Sequence, residues 1–448
     1  MKNIHLYILI LSMLGSGQVF AQRSLTLDES RKLALENNAA IKNSIQEIVA
    51  AEETKNSAFT RYFPNVSAGG LMWNAQKDLL EIETEGGDLP VYDGDPANIG
   101  SATQFAYLPG GTMGLWKKGT VGYVNVVQPI FTGGRIITGN KLAALGVEVS
   151  EFQMKLTCDE ILLKTEDLYW QIVSLAEKQK TIASYETLLN RVLVQVEDAY
   201  SSGIVMKNDL LKVKLKLNEV LLNKSKLDNG KILAVMAFCQ HIGIEYDSTL
   251  VLDEVLKSTD TPQSIYVDRQ QALFSRTEYA LLEKSIESEK LLTRMKRGQY
   301  LPQAGLGASW LYMEFDESDS RNFGMVYGNI SVPISGWWGG SHDLKVRKAR
   351  EKIAENNFKN QTELLTLQIE KAWQDLTDAY RQVQLSEESK IQSEENLKVN
   401  DDSYNNGLIT LSDLLEAMAL SQEAQDQMID ARAQYMVNKR SYLQVTGR

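Results

Sequence analysis

The chain has 448 residues, a formal charge of −11 at pH 7, 8 Pro, 3 His and 2 Cys. An acidic chain without a basic cluster excludes nucleic acid as a partner. So little Pro favours long uninterrupted helices, and no run after residue 21 is long and apolar enough for a transmembrane helix.

Residues 1–21 read as a secretory signal. Lys2 gives the positive start, Leu6 to Leu14 the apolar run, and Val19-Phe20-Ala21 a small-residue cleavage site. Thr26 to Phe63 is helical in pattern, with Leu27, Ala34, Ile41, Ile45 and Ile48 on one stripe and Thr26 or Asp28 as cap. Tyr62-Phe63-Pro64 closes it. Alternating, Gly-rich strands follow at 65–73 and 120–131. Between them, residues 77–111 carry Asp78, Glu81, Glu83, Glu85, Asp88, Asp93 and Asp95 against Lys77 alone. This stretch reads as a solvated loop, and Asp93-Gly94-Asp95 lacks the full alternating pattern of a Ca²⁺ loop. A long helix runs from Arg135 to Ser202, a turn follows, and a shorter helix runs from Lys207 to Ile242. Two thiols lie on this hairpin. Cys158 stands 45 residues before Gly203 and Cys239 36 after it. The offset of roughly 13 Å along a helix is beyond disulfide reach, so both read as buried thiols.

Residues 243–264 read as a link, after which the order repeats. Ala34-Leu35 returns as Ala272-Leu273 and Tyr62-x-Pro64 as Tyr300-x-Pro302, both 238 residues on. Strands are expected at 303–313 and 323–334 around a shorter acidic loop with Glu314, Asp316, Glu317 and Asp319. In the first of these strands Ala304, Leu306, Ala308, Trp310 and Tyr312 share a face, and Gln303, Gly305, Gly307 and Ser309 the other. The second long helix runs from Ser341 to Asn406. Its Phe358, Leu365, Ile369, Ala372, Leu376, Ala379 and Val383 form a coiled-coil seam. Leu411 to Leu443 completes the chain, with Leu411, Leu415, Met418 and Gln422 continuing the spacing. Tyr200 to Leu211 returns as Tyr404 to Leu415 with Tyr, Gly, Asp and the Leu pair in register, 204 residues on. The difference, 238 − 204 = 34 residues, is an insertion in the first copy. Gly203 and Gly407 read as left-handed helix ends, and Asp209 and Asp413 as first-turn acids of the next helix. Each copy is the tip of a helical hairpin. The first repeat spans 22–245 and the second 246–448.

The chemistry of an enzyme is missing. His241 and His342 have no second ligand at metal spacing. No nucleophile elbow, phosphate loop or dinucleotide fingerprint is present. The reading is not an enzyme, with no cofactor and no metal. A helix of 68 residues, roughly 100 Å long, needs partner helices along its whole length. Four strands cannot close a barrel when small barrels need about eight. Both facts demand an oligomer that pools strands and helices. A periplasmic coiled-coil adaptor, or a structural protein without a pore, is the alternative. An adaptor would need one hairpin and a compact β-domain, and here the hairpin comes twice.

On this order of elements, on Tyr62-Phe63-Pro64, on Gln128-Pro129-Ile130-Phe131-Thr132-Gly133-Gly134 and on the two Gly/Asp tips, the chain resembles the outer-membrane efflux protein (TolC) family over essentially all of residues 22–448. The resemblance implies a mostly α fold with a β-barrel part. It would be a homotrimer with a 12-stranded barrel in outer-membrane lipid, continued by a periplasmic helical tunnel. It implies a passive exit duct for an inner-membrane transporter of unknown class, joined through a periplasmic adaptor (membrane fusion) protein. Carried over by residue, Gly203, Ile204, Val205, Gly407, Leu408 and Ile409 match the tip that adaptors contact. Asp413 and Glu416 match the acidic aperture ring, and Asp209 and Tyr404 match contacts between hairpins. Ile409 stands where an Arg would complete a latch. Three readings compete with these: Asp413 as a cap partner of Thr410, Tyr200 and Tyr404 as tip packing, and Trp337 and Trp338 as core rather than membrane-interface aromatics.

Overall fold

The computed structural model describes residues 24–98, 100–102, 104–253, 256, 260–316 and 319–448. The expected signal at 1–21 and Glu317 lie outside them. The first helix is two helices, α1 (Leu27–Asn37) and α2 (Ala39–Thr60). Thr26 caps α1 in a reciprocal box with Glu29. The break falls at Asn38, whose backbone is extended (φ −60°, ψ 135°). Its side chain accepts from Ala40 N–H at 2.8 Å and donates to His241 O at 2.8 Å. Asn competes well for local backbone bonds, and here a tertiary bond fixes the choice. The same break recurs 238 residues later at Arg276, between α5 (Arg269–Ser275) and α6 (Thr277–Gly298). Ile45, expected in the stripe, is exposed and Ile48 only half-buried.

Four strands form one antiparallel sheet in the order β10-β9-β7-β2: β2 (Asn65–Asn74), β7 (Lys118–Phe131), β9 (Gln303–Phe315) and β10 (Arg321–Ser331). The last strand ends three residues before the expected 334, because Pro333 has no N–H to offer the ladder. The insertion is no plain loop. Two antiparallel ladders, β3 (Leu80–Thr84) with β6 (Gly111–Leu115) and β4 (Gly87–Pro90) with β5 (Phe105–Leu108), make it a ribbon. In the link, β8 (Val251–Leu252) pairs in parallel with β1 (Ser24–Leu25), which was not expected.

The long helices are α3 (Arg135–Ser201), α4 (Lys207–Ile242), α7 (Gly336–Asn405) and α8 (Leu411–Val445). The start of α7 precedes the expected Ser341 by five residues. Gly336 and Trp337 N–H bond back to Pro333 and Ile334 O, and this turn nucleates the helix before the glycines. The chain forms two compact units that cut across both repeats. The sheet unit is 53–145 with 288–352, and the helical unit is the rest.

Within the helical unit the expected seam of α7 is buried. Leu365, Ile369, Ala372, Leu376, Ala379 and Val383 are all under a tenth exposed, while Phe358 is half-buried. On α8 Leu411 and Met418 are buried as expected, but the seam shifts by one residue at the other two positions. Leu414 and Ser421 are buried, whereas Leu415 and Gln422 are half-buried. A second cluster gathers Tyr169, Trp170, Val235, Phe238 and Ile242 of α3 and α4 around Leu25 and Ala34. Neither cysteine is in a disulfide, but only Cys239 is buried. Cys158 is half-exposed, which corrects half of that reading.

Candidate functional site

The strand register divides the sheet into two faces. Ala304, Leu306, Ala308, Trp310 and Tyr312 of β9 share one with Val326 and Ile330 of β10, Val124 and Val126 of β7, and Val66, Ala68 and Met72 of β2. Several of these side chains are bare: Val326 is 82% exposed, Ile330 78% and Met72 78%. The opposite face mixes Asn65, Ser67, Asn125, Ser309, Asn329 and Gln303 with Leu71, Val127, Leu311, Phe323 and Met325, and lays rings over glycines. A Cβ at Gly69 would come within 2.7 Å of the Tyr123 ring, and one at Gly307 within 2.2 Å of the Tyr327 ring. Tyr327 Oη donates to Asn125 Oδ1 at 3.0 Å. Only glycine lets an aromatic lie flat across the neighbouring strand, and the device recurs in the first repeat where Trp73 lies over Gly119.

Aromatics border both ends of the sheet. At the loop end, Trp73 and Trp116 each meet Phe315, with ring centroids 5.8 and 5.5 Å apart. Asp316 ties that corner by accepting from the Trp116 and Lys118 N–H groups. At the helix end, Phe59, Tyr62 and Phe63 pack edge to face. There Trp337 Nε1 donates to Tyr300 O at 2.8 Å, and Trp337 and Trp338 are both exposed. Neither tryptophan is core. The strands between run roughly 30 Å, ten residues of β2 at about 3.3 Å each. The sequence reading named only Trp337 and Trp338 of this set. Trp73, Trp116 and Phe315 became a group only through the strand register.

In the helical unit the two tips have one backbone geometry. Gly203 (φ 73°) and Gly407 (φ 70°) are left-handed. Ile204 N–H returns to Ala199 O at 2.8 Å and Gly203 N–H to Tyr200 O at 3.0 Å. Leu408 and Gly407 bond in the same way to Ser403 and Tyr404. This is the Schellman pattern, in which the residue after the glycine usually packs back on its own helix. Here those residues are displayed: Ile204 is 78% exposed and Leu408 77%. Val205 and Ile409, expected at the same surface, turn inward and pack on a core of Val192, Val196, Leu411 and Leu414. Met206, 77% exposed, takes a place at the first tip.

The helix starts after the tips differ. Thr410 N–H and Oγ1 donate to Asp413 Oδ2 at 2.9 and 2.7 Å, and Asp413 N–H returns to Thr410 Oγ1 at 3.3 Å. These bonds hold the Asp413 carboxyl below the usual range. The capping arrangement is therefore present, with Asp413 and Glu416 both exposed one turn apart. The first tip has Met206 at this position and no side-chain cap. Tyr404 is half-buried. Burial, then the charge of Asp209 on the other hairpin, pushes its hydroxyl up. Tyr200 is exposed.

Sequence reasoning missed what joins the hairpins nearby. Arg191 Nη2 of α3 donates to both oxygens of Asp401 on α7 at 2.8 Å, and Lys212 Nζ of α4 to Ser412 Oγ at 2.9 Å. No spacing in the chain marks these pairs, because they depend on the register between hairpins. Among the described residues no cluster of three or more His, Cys, Asp or Glu could hold a metal ion, and no helix is long and apolar enough to cross a membrane.

Residues 270–448 match the sequence model of a family described as outer membrane efflux protein. The chain is 19% identical over 361 residues to outer membrane protein TolC of Escherichia coli K12, covering 76% of this chain and 72% of that one. It is 18% identical over 294 residues to the TolC of Salmonella enteritidis, covering 62% of this chain and only 59% of the relative's length. In fold it is similar to the CmeC outer membrane channel of Campylobacter jejuni, with a TM-score of 0.74 and 15% identity over 94% of this chain and 85% of that one.

Proposed function

We propose that this chain, whose residues 270–448 match the outer membrane efflux protein model, is one subunit of an outer-membrane channel, the exit duct of a tripartite efflux or type I secretion system. The observation that carries the reading is the sheet. It presents one largely apolar face, interrupted by Gln128, Thr120 and Asn322, and its outer strands β2 and β10 have no further strand partner among the described residues. An open apolar edge is an unstable end state for a strand. Lipid would accept the face, and other copies would accept the edges. Three copies give twelve strands, with the aromatics at each end lying at the two membrane interfaces, Trp337 and Trp338 on the helix side. The helices then continue as a tunnel in the periplasm. No step of bond chemistry is required, and the duct conducts passively what an inner-membrane transporter delivers.

The tips would dock a periplasmic adaptor. Gly203 and Gly407 set the turns, and Ile204 and Leu408, joined by Met206, supply exposed apolar contacts. Val205 and Ile409 would act from behind, by holding the turns on their core. Tyr404 and Asp209 would tie one hairpin to the other. Asp413 and Glu416, repeated by three-fold symmetry, would ring the aperture with carboxylates, a role compatible with the Thr410 cap.

The reading is tested by extracting the protein from outer membranes in mild detergent. A particle of three chains, each the 50.3 kDa precursor less its 21-residue signal, falling to one chain on heating, and opening ion-conducting channels in planar bilayers, is the expected result. A native-helicity monomer without conductance would refute it.

A further inference from the structure

The 34-residue insertion in the first repeat makes an amphipathic ribbon. In its first ladder Leu80 lies opposite Leu115 and Ile82 opposite Met113, so these four share a face. Glu81 and Glu83 occupy the other, and Asp78 joins them by lying over Gly114, where a Cβ would meet its carboxylate. The second ladder has apolar side chains on both faces, Leu89 and Leu108 on one and Phe105 and Tyr107 on the other. The apolar side of the first ladder is bare: Met113 is 62% exposed and Ile82 43%. Both ladders satisfy their own inner backbone groups, so what lacks a partner is apolar area rather than a strand edge alone.

We propose that this apolar face packs on the ribbon of a second copy of the chain, so that three ribbons converge over the outer mouth of the barrel. The proposal rests on the trimeric channel reading above. The ribbon rises from β2 and β7, and β2 is an edge strand of the sheet. In a pooled barrel that edge is a seam between copies, so the nearest foreign surface to the ribbon is another copy. Reach agrees with this. Twelve strands about 4.8 Å apart and tilted about 40° give a perimeter near 75 Å and a radius of about 12 Å. The two ladders run roughly 30 Å at about 3.3 Å per residue, more than enough to meet across the opening. Charge disfavours an anionic lipid surface as the occupant, because residues 77–111 hold seven carboxylates against one lysine. With the apolar faces together, the carboxylates of Asp78, Glu81 and Glu83 would face water, and the mouth would be narrower than the barrel below it.

The experiment uses the full-length protein in detergent and a short bismaleimide cross-linker. Met113→Cys should yield covalent dimers, the limit for one thiol per chain, while Glu83→Cys, on the opposite face of the same ladder, and the parent with Cys158 and Cys239 should yield none. Mass measured on the same samples separates two failures. A three-chain particle that cross-links at neither position, or only at Glu83→Cys, overturns the ribbon contact alone. A one-chain particle overturns the channel reading and the ribbon contact with it.

Discussion

Helix α7 carries two apolar stripes on opposite sides. Leu365, Ile369, Leu376 and Val383 are covered by the chain's own helices. Ile353, Leu367, Leu385 and Val399 keep helical spacing too, yet each is more than half exposed. Helix α4 repeats the contrast, with Val213 and Val220 fully covered and Leu215 and Leu222 bare. A helix apolar on both sides is one made to be covered on both sides. The covered stripe is what one chain does for its own stability. In the trimer proposed above, the bare stripe is what it leaves for another copy.

The largest effect should come from the covered side. Leu376 is wholly buried, and truncating it leaves a cavity worth about 3 kcal/mol. Leu376→Ala should lower the thermal midpoint clearly, whether the protein is assembled or not. If the midpoint does not move, the seam is not where the helical unit gets its stability. The bare side should behave in the opposite way. Leu367→Lys combined with Leu215→Lys should leave circular dichroism helicity almost unchanged and shift the particle mass from three chains to one. Unchanged mass would mean that these stripes face water or an aqueous lumen.

The smallest effect concerns a carboxyl at the junction of the hairpins. Asp426 of α8 has one oxygen buried without a hydrogen-bond partner. Burial, with Asp430 adding to it and Lys178 opposing, pushes its pKa up to about 6. An unfolded Asp titrates near 4, so the charged form weakens the fold at pH 7. The penalty fades as pH falls through about 6 and is gone below about 4. Asp426→Asn should therefore stabilise by about 1 kcal/mol at pH 7 after solvent screening is allowed for. The gain should vanish near pH 4 in denaturant titrations, and a gain independent of pH would show that packing rather than charge is responsible.

What the sequence made legible was whatever depends on short-range spacing. The α7 seam from Leu365 to Val383, both left-handed glycines and the alternation of β9 could be read directly. The breaks at Asn38 and Arg276 could not, because the first is decided by a bond to His241 some 203 residues away. On α8 Leu411 and Met418 were legible, but Leu415 was chosen over Leu414, since both are apolar and only packing separates them. The ribbon was missed although Leu80-Glu81-Ile82-Glu83 alternates, because the acidic charge of the stretch masked the period. At the tips, exposure of Ile204 and Leu408 followed from their position, whereas the inward turn of Val205 and Ile409 needed the core beneath them. The Arg191 to Asp401 pair depends on the register of two hairpins and left no local trace.

The central claim is that the bare surfaces are completed by copies of the same chain around a pore. Native mass measurement of the detergent-extracted protein, paired with single-channel recording from the same preparation, tests it most directly. The account predicts a three-chain particle that conducts, and loss of both properties together in the Leu367→Lys, Leu215→Lys variant. A single chain that conducts, or a three-chain particle that does not, would contradict it.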